Sequence, residues 1–195
     1  SDGGVRREVS WLGRTPTGQD QGRDGPCQCF AIGDAFGAMQ RTEIAAQQMF
    51  DAWTEGLKIV GKKDGGLSIP EGVAGAKRVG WLKPHVTAEW TSSEAIYECP
   101  LILGVKVNRV IDNANADGIY DESESALASD VRGYHAVCAM SRGWVELPGW
   151  PTDPLWVHDG SWGQWGTHGL GSCTEDCHRK ITREIWRLRG VEIVP

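Results

Sequence analysis

The apolar periodicity of the chain changes midway, and that change limits the folds open to it. Between Cys27 and Glu55, apolar residues recur at helical spacing: Phe30, Ala31, Ala35, Phe36, Ala38 and Met39, then Ile44, Ala45, Met49, Ala52 and Trp53. A 3.6-residue apolar period marks a helix lying on a core. The spacing predicts helices over about 27–40 and 42–55. Ser68 as N-cap, Pro70 in the first turn and Gly80 beyond the end frame a third helix over about 69–79. Past residue 100 the texture shortens. Leu101–Val107, Tyr134–Met140, Trp156–His158 and Trp186–Val194 read as strands. Helices first and strands later predict an α+β protein with two unlike lobes.

Composition is compatible with a packed core and excludes several function classes. Hydrophobic residues make up 40% and charged residues 24%, which excludes a disordered chain. No stretch approaches the roughly 18 apolar residues of a membrane helix. The net charge is −6, and the 20 basic residues are scattered, so no phosphate-tracking surface is expected and nucleic acid is excluded as a partner. Six cysteines are too few to define a disulfide scaffold in 195 residues. Tryptophan is the outlier, with ten against three Phe and three Tyr. Large rings that carry an N–H suit a polar-satisfied interior or an aromatic cleft.

Three segments could carry chemistry. Cys27 stands at the predicted start of the first helix, within Gly25-Pro26-Cys27-Gln28-Cys29-Phe30-Ala31. Open N–H groups and the partial positive charge of a helix N-terminus favour a thiolate. Taken alone, Cys27 reads more readily as a small buried hydrophobe, as most cysteines outside disulfides are. His135 opens a predicted strand in Gly133-Tyr134-His135-Ala136-Val137. Asp159-Gly160-Ser161-Trp162-Gly163 follows the short strand ending at His158 and reads as a tight loop with an aromatic lid.

In this order the segments resemble the papain-like cysteine proteases. Val9-Ser10-Trp11 is similar to the family's Val-Asp-Trp, and Asp20-Gln21-Gly22 to the Asn/Asp-Gln-Gly ahead of the nucleophile. Gly25-Pro26-Cys27 resembles the nucleophile segment, and Gly65-Gly66 the pair that binds peptide. Gly118-Ile119-Tyr120, His135-Ala136-Val137 and Gly160-Ser161-Trp162-Gly163 resemble the segments around the catalytic histidine. The resemblance implies a two-lobed fold. Residues 12–92 would form the helical lobe. Residues 1–11 plus 93–195 would form an antiparallel, β-barrel-like lobe, with the cleft between the two. It further implies a cysteine endopeptidase that hydrolyses peptide bonds through a thioester on Cys27, with no cofactor and no metal. His135 would be base and then acid. Gln21 and the Cys27 N–H would form the oxyanion hole. Gly65 and Gly66 would pair with an extended peptide, and Trp162 would shield the histidine. A pro-segment removed before Ser1 and a secreted or lysosome-like compartment are further implications of the family.

The chain departs from the family at Gly160, which stands where an Asn orients the histidine. Asp159 or a water would then replace it. Gln28 stands in place of a Trp, and Asp24 in place of a disulfide cysteine. These departures motivate a second reading, a papain-like fold kept as a binding or structural module. A third changes the substrate to peptidoglycan. Two further patterns have bland readings. Asn113 to Glu124 has calcium-loop spacing but reads as a polar loop. His168, Cys173, Cys177 and His178 offer zinc ligands but read as a local disulfide or plain loop. Six of the ten tryptophans lie beyond residue 143, which predicts an aromatic wall on the His135 side of the cleft.

Overall fold

The computed structural model describes residues 6–108, 119–120, 131, 133–144, 154–163 and 169–195. Residues 113–118 and 121–124 of the calcium-like loop, Trp150, Trp165 and His168 lie outside the described residues. The first half is helical: α1 (Cys27–Gln40), α2 (Ala46–Val60) and α3 (Ile69–Val79). The end signals of α3 act as expected. Ser68 Oγ accepts from the Glu71 N–H at 3.2 Å, and Glu71 Oε2 accepts from the Ser68 N–H at 2.8 Å. That reciprocal pair satisfies two backbone donors that a helix start leaves open. Gly80 ends the helix in the left-handed conformation, with φ 103°. The second helix starts four residues later than the periodicity predicts and runs to Val60, where Gly61 turns left-handed at φ 72°.

The strands form one sheet. They are β1 (Val9–Ser10), β2 (Thr87–Trp90), β3 (Leu101–Val107), β4 (Ile119–Tyr120), β5 (Gly133–Gly143), β6 (Leu155–Asp159), β7 (Leu170–Thr174) and β8 (Thr182–Arg189). A short 3₁₀ helix (Ser93–Tyr97) precedes β3, and α4 (Glu175–Ile181) joins β7 to β8. The order is β2-β8-β3-β5-β6-β7-β4, with β1 paired to β5. Pairing is antiparallel except between β4 and β7. The barrel-like lobe expected from the resemblance is not what these strands form. Closure needs the two edges to pair, and β2 and β4 are hydrogen-bonded to one neighbour each, so among the described residues the sheet is open. The last strand ends at Arg189, five residues before the predicted Val194.

Packing follows from these patterns. Most of α1 is buried, and it lies against β5, whose Ala136–Met140 stretch is buried on both faces. This contact sets the start of the helix beside the strand, with the Cys27 sulfur against the Ala136 N–H, next in sequence to His135. The six cysteines are all buried, and none forms a disulfide. The aromatic wall is not seen among the described tryptophans. Trp162 stacks on His135, with centroids 4.1 Å apart, whereas the fully buried Trp156 stacks on His178 at 3.7 Å. Trp186 meets the exposed Trp90 edge-on, and Trp144 lies under Arg6.

Candidate active site

Cys27 is the first residue of α1 and is 6% exposed. Pro26 precedes it and no side chain caps the helix, so first-turn N–H groups remain open. Burial pushes the Cys27 thiol up, while the N–H groups of Ala136, Gln28 and Cys27 itself favour the thiolate. Cys29 is fully buried and pushed up to about 12, chiefly by burial, which leaves it an inert packing group. Gly25 makes the turn into the helix at φ 117°. A Cβ there would stand 2.9 Å from the Trp53 ring and 3.1 Å from the Gly65 carbonyl, so only glycine fits.

His135 lies at the start of β5, 6% exposed, with its ring nearly parallel to Trp162 at 16°. Its Nε2 is 2.7 Å from the Gly160 carbonyl oxygen. An oxygen that can only accept fixes the tautomer: Nε2 carries the proton and Nδ1 keeps its lone pair. Burial pushes the His135 pKa down to about 4, opposed by the Gly160 carbonyl and by Asp24. The residue standing in the Asn position thus offers its main-chain oxygen to the ring.

Asp159 does something else. Its Oδ1 accepts from the Ser161 N–H at 3.0 Å, and its Oδ2 finds no partner among the described residues. Ser161 Oγ in turn donates to Asp34 Oδ2 at 3.2 Å, from the middle of α1. Asp34 escaped the sequence reading, although an acid inside the apolar run Phe30–Phe36 is the signal that reveals it. Burial, and then the Asp159 charge, push Asp34 well above the ordinary 3.8; burial raises Asp159 too. The folded protein therefore holds protons that the unfolded chain releases above that ordinary value. Stability from these carboxyls is full at low pH and is lost as pH rises through the raised values. Melting temperature is expected to drop as pH rises above about 4, through the raised values, and Asp34→Asn to flatten that drop. An unchanged slope in the variant, measured by circular dichroism, would exonerate the pair.

The remaining residues are set by loop pairing. Asp20 and Trp162 form an antiparallel bridge, the Gln21 N–H donates to the Ser161 carbonyl at 2.9 Å, and the Gly163 N–H donates to the Gln19 carbonyl at 3.2 Å. Gln21 is thereby carried to the Trp162 side of the site. Its Nε2 donates to the Arg23 carbonyl at 2.9 Å, which leaves its second hydrogen for another acceptor. Gly65 and Gly66 lie in the loop before α3. Trp53 Nε1 donates to the Gly65 carbonyl at 2.9 Å, and Arg23 reaches Asp64 at 2.8 Å. Gln28 supports the same loop, its Oε1 accepting from the Leu67 N–H at 3.4 Å. A Cβ on Gly66 would meet Gln28 Nε2 at 3.2 Å.

Xylellain, a cysteine protease from Xylella fastidiosa, superposes with a TM-score of 0.68 at 14% identity, over 96% of this chain and 86% of that one. The chain has the papain-like fold. The digestive procathepsin L 3 of Tenebrio molitor larval midgut matches with a TM-score of 0.66 at 12% identity, covering 96% of this chain and 71% of its own. The bromelain protease of Ananas comosus, solved with the E64 inhibitor, matches at 0.60 and 15%, over 94% and 99%. No family model and no curated protein matches the sequence.

Proposed function

We propose that the protein is a cysteine endopeptidase in which Cys27 attacks the peptide carbonyl and His135 moves the proton. The observation that carries this reading is the hydrogen bond from His135 Nε2 to the Gly160 carbonyl. It leaves Nδ1 as the basic atom of a histidine at the α1–β5 contact where Cys27 begins its helix. The cleft would run between a helical lobe of residues 12–92 and a lobe of 1–11 plus 93–195. In the first half-reaction Nδ1 takes the Cys27 proton as sulfur adds to the carbonyl. The oxyanion is met by the Cys27 N–H and the spare hydrogen of Gln21 Nε2. The imidazolium then protonates the departing amine, and water hydrolyses the thioester with the roles reversed. Gly65 and Gly66 would pair with the extended substrate backbone.

A thiol-directed epoxide tests this. Labelling is expected on Cys27 and is expected to depend on His135; equal labelling of several cysteines would favour a non-catalytic module. The pH profile adds a second check. Below about pH 4 His135 is charged and cannot accept the proton, so kcat/KM is expected to fall there. At the alkaline end the rate is expected to fall only above the ordinary thiol value of 9.0, because burial raises Cys27. A rate that climbs without a plateau to the highest pH measured contradicts this pairing.

Substrate preference follows from a cavity of about 90 Å³ beside the histidine, lined by Gln28, Leu67, Tyr134, His135, Ala136 and Glu184. Leu67, Ile69 and Ala136 give it an apolar side and Glu184 supplies a carboxylate, so a long cationic side chain of the substrate fits: stem on the apolar side, charge on the acid. Glu184→Gln is expected to lower kcat/KM for substrates carrying Lys or Arg at that position by about fivefold, the ratio for an exposed ion pair of about 1 kcal/mol. Neutral substrates are expected to change little. Equal losses on both would remove Glu184 from specificity.

A further inference from the structure

β6 and β7 pair with Trp156 opposite Cys173 and His158 opposite Gly171. Residues two apart in a strand share a face, so Trp156, His158 and Cys173 lie together, and Gly171 leaves the place across from His158 without a side chain. His178 of α4 fills it. Its ring lies 4° from parallel on Trp156, and its Nδ1 is 3.3 Å from His158 Nε2. The ligand atoms of His158, Cys173 and His178 all lie within 4.8 Å of one another. The three residues are 0%, 0% and 1% exposed.

We propose that His158, Cys173 and His178 form a three-ligand zinc site, independent of the chemistry at Cys27. The separation suits it: two nitrogens about 2.05 Å from a tetrahedral zinc stand about 3.3 Å apart. The orientation suits it too. His178 Nε2 is 3.0 Å from Ser93 Oγ, so with Ser93 accepting, Nδ1 is the lone-pair nitrogen and it faces His158. Two imidazoles and a thiol select a borderline-soft ion over calcium or magnesium, which want oxygen. The thiol loses its proton to solvent on binding, and a water completes the tetrahedron. The sequence-level zinc set was differently composed. Among the described residues the cluster contains Cys173 and His178 but not Cys177, and it recruits His158 from β6. The ion would tie α4 to the β6–β7 pair, two residues before the Gly160 carbonyl that holds His135.

The test is cobalt titration of the chelator-stripped Cys27→Ala chain, followed by absorption spectroscopy. One equivalent of Co²⁺ is expected to give the intense d–d bands of a tetrahedral ion and a thiolate-to-cobalt charge-transfer band, both bleached by zinc. Cys173→Ser is expected to remove the charge-transfer band, and Ser93→Ala to weaken cobalt binding about 10–100-fold. No tetrahedral spectrum in a chain that circular dichroism shows folded overturns the site. It would leave a plain imidazole–imidazole hydrogen bond packed against a thiol. A band that survives Cys173→Ser overturns it as well. Because the first readout needs only the parent Cys27→Ala chain, a ligand variant that fails to fold does not rescue the proposal.

Discussion

Cys27→Ala is expected to reduce kcat for peptide hydrolysis by about 10⁶-fold, the cost of removing the nucleophile where nucleophile and base act as a unit. Among the described residues no second reactive thiol stands beside it. Cys29 is two residues further along α1, fully buried, and held protonated by a pKa pushed up to about 12. The fold is expected to survive, because removing one sulfur atom at the end of a helix opens a small void and leaves the α1–β5 contact intact. Substrate binding is expected to survive too, since the Gly65–Gly66 loop is held by Trp53, Gln28 and the Arg23–Asp64 pair rather than by Cys27. The variant should therefore bind a peptide and fail to cut it, as read by fluorescence anisotropy and chromatography of the products. Undiminished cutting would mean that the protein works by another mechanism. Absent cutting in the parent as well, with peptide binding kept, would favour the module reading.

Much of the helical half was legible because its signals are local. Ser68, Glu71, Pro70 and Gly80 punctuate α3 within a dozen residues, and each acts through a neighbour in sequence. The strands were legible where they are long and buried, as in β3 and β5. They were not where they are short or mixed: two-residue β1 has no period to read, and β7 is Leu-Gly-Ser-Cys-Thr, whose small residues look like loop. The open edge of the sheet depends on which strands pair, and pairing partners far apart in sequence leave no local mark. At the candidate site, Cys27, His135, Gln21 and Trp162 were singled out through their neighbours in sequence. The group on His135 Nε2 was not, because it is a main-chain carbonyl, and every residue type carries one. Asp34 and His158 were passed over for a different reason: each looks ordinary in its own segment and acquires its partners only through packing.

His135→Ala is expected to cost nearly as much as Cys27→Ala, and the double variant little more than either, because removing one member of a coupled pair already forfeits the pair's contribution. The sharper contrast is with Asp159. If the carboxylate oriented the ring, Asp159→Asn would lower kcat by orders of magnitude, as loss of an orienting acid does elsewhere. The geometry assigns that task to Gly160. Its main-chain oxygen is an amide oxygen, the same kind of neutral acceptor as the side chain of the Asn that the resemblance leads one to expect, so it fixes the same tautomer without needing a side chain. Asp159→Asn is therefore expected to hold kcat within about tenfold and to leave the acid limb of the pH profile in place. Its main effect should be on stability, because Asp159 answers to Ser161 and through it to Asp34. A collapse of kcat in a folded Asp159→Asn protein, with the acid limb displaced, would instead make the carboxylate the ring's partner. The Gly160 bond would then belong to the resting conformation alone.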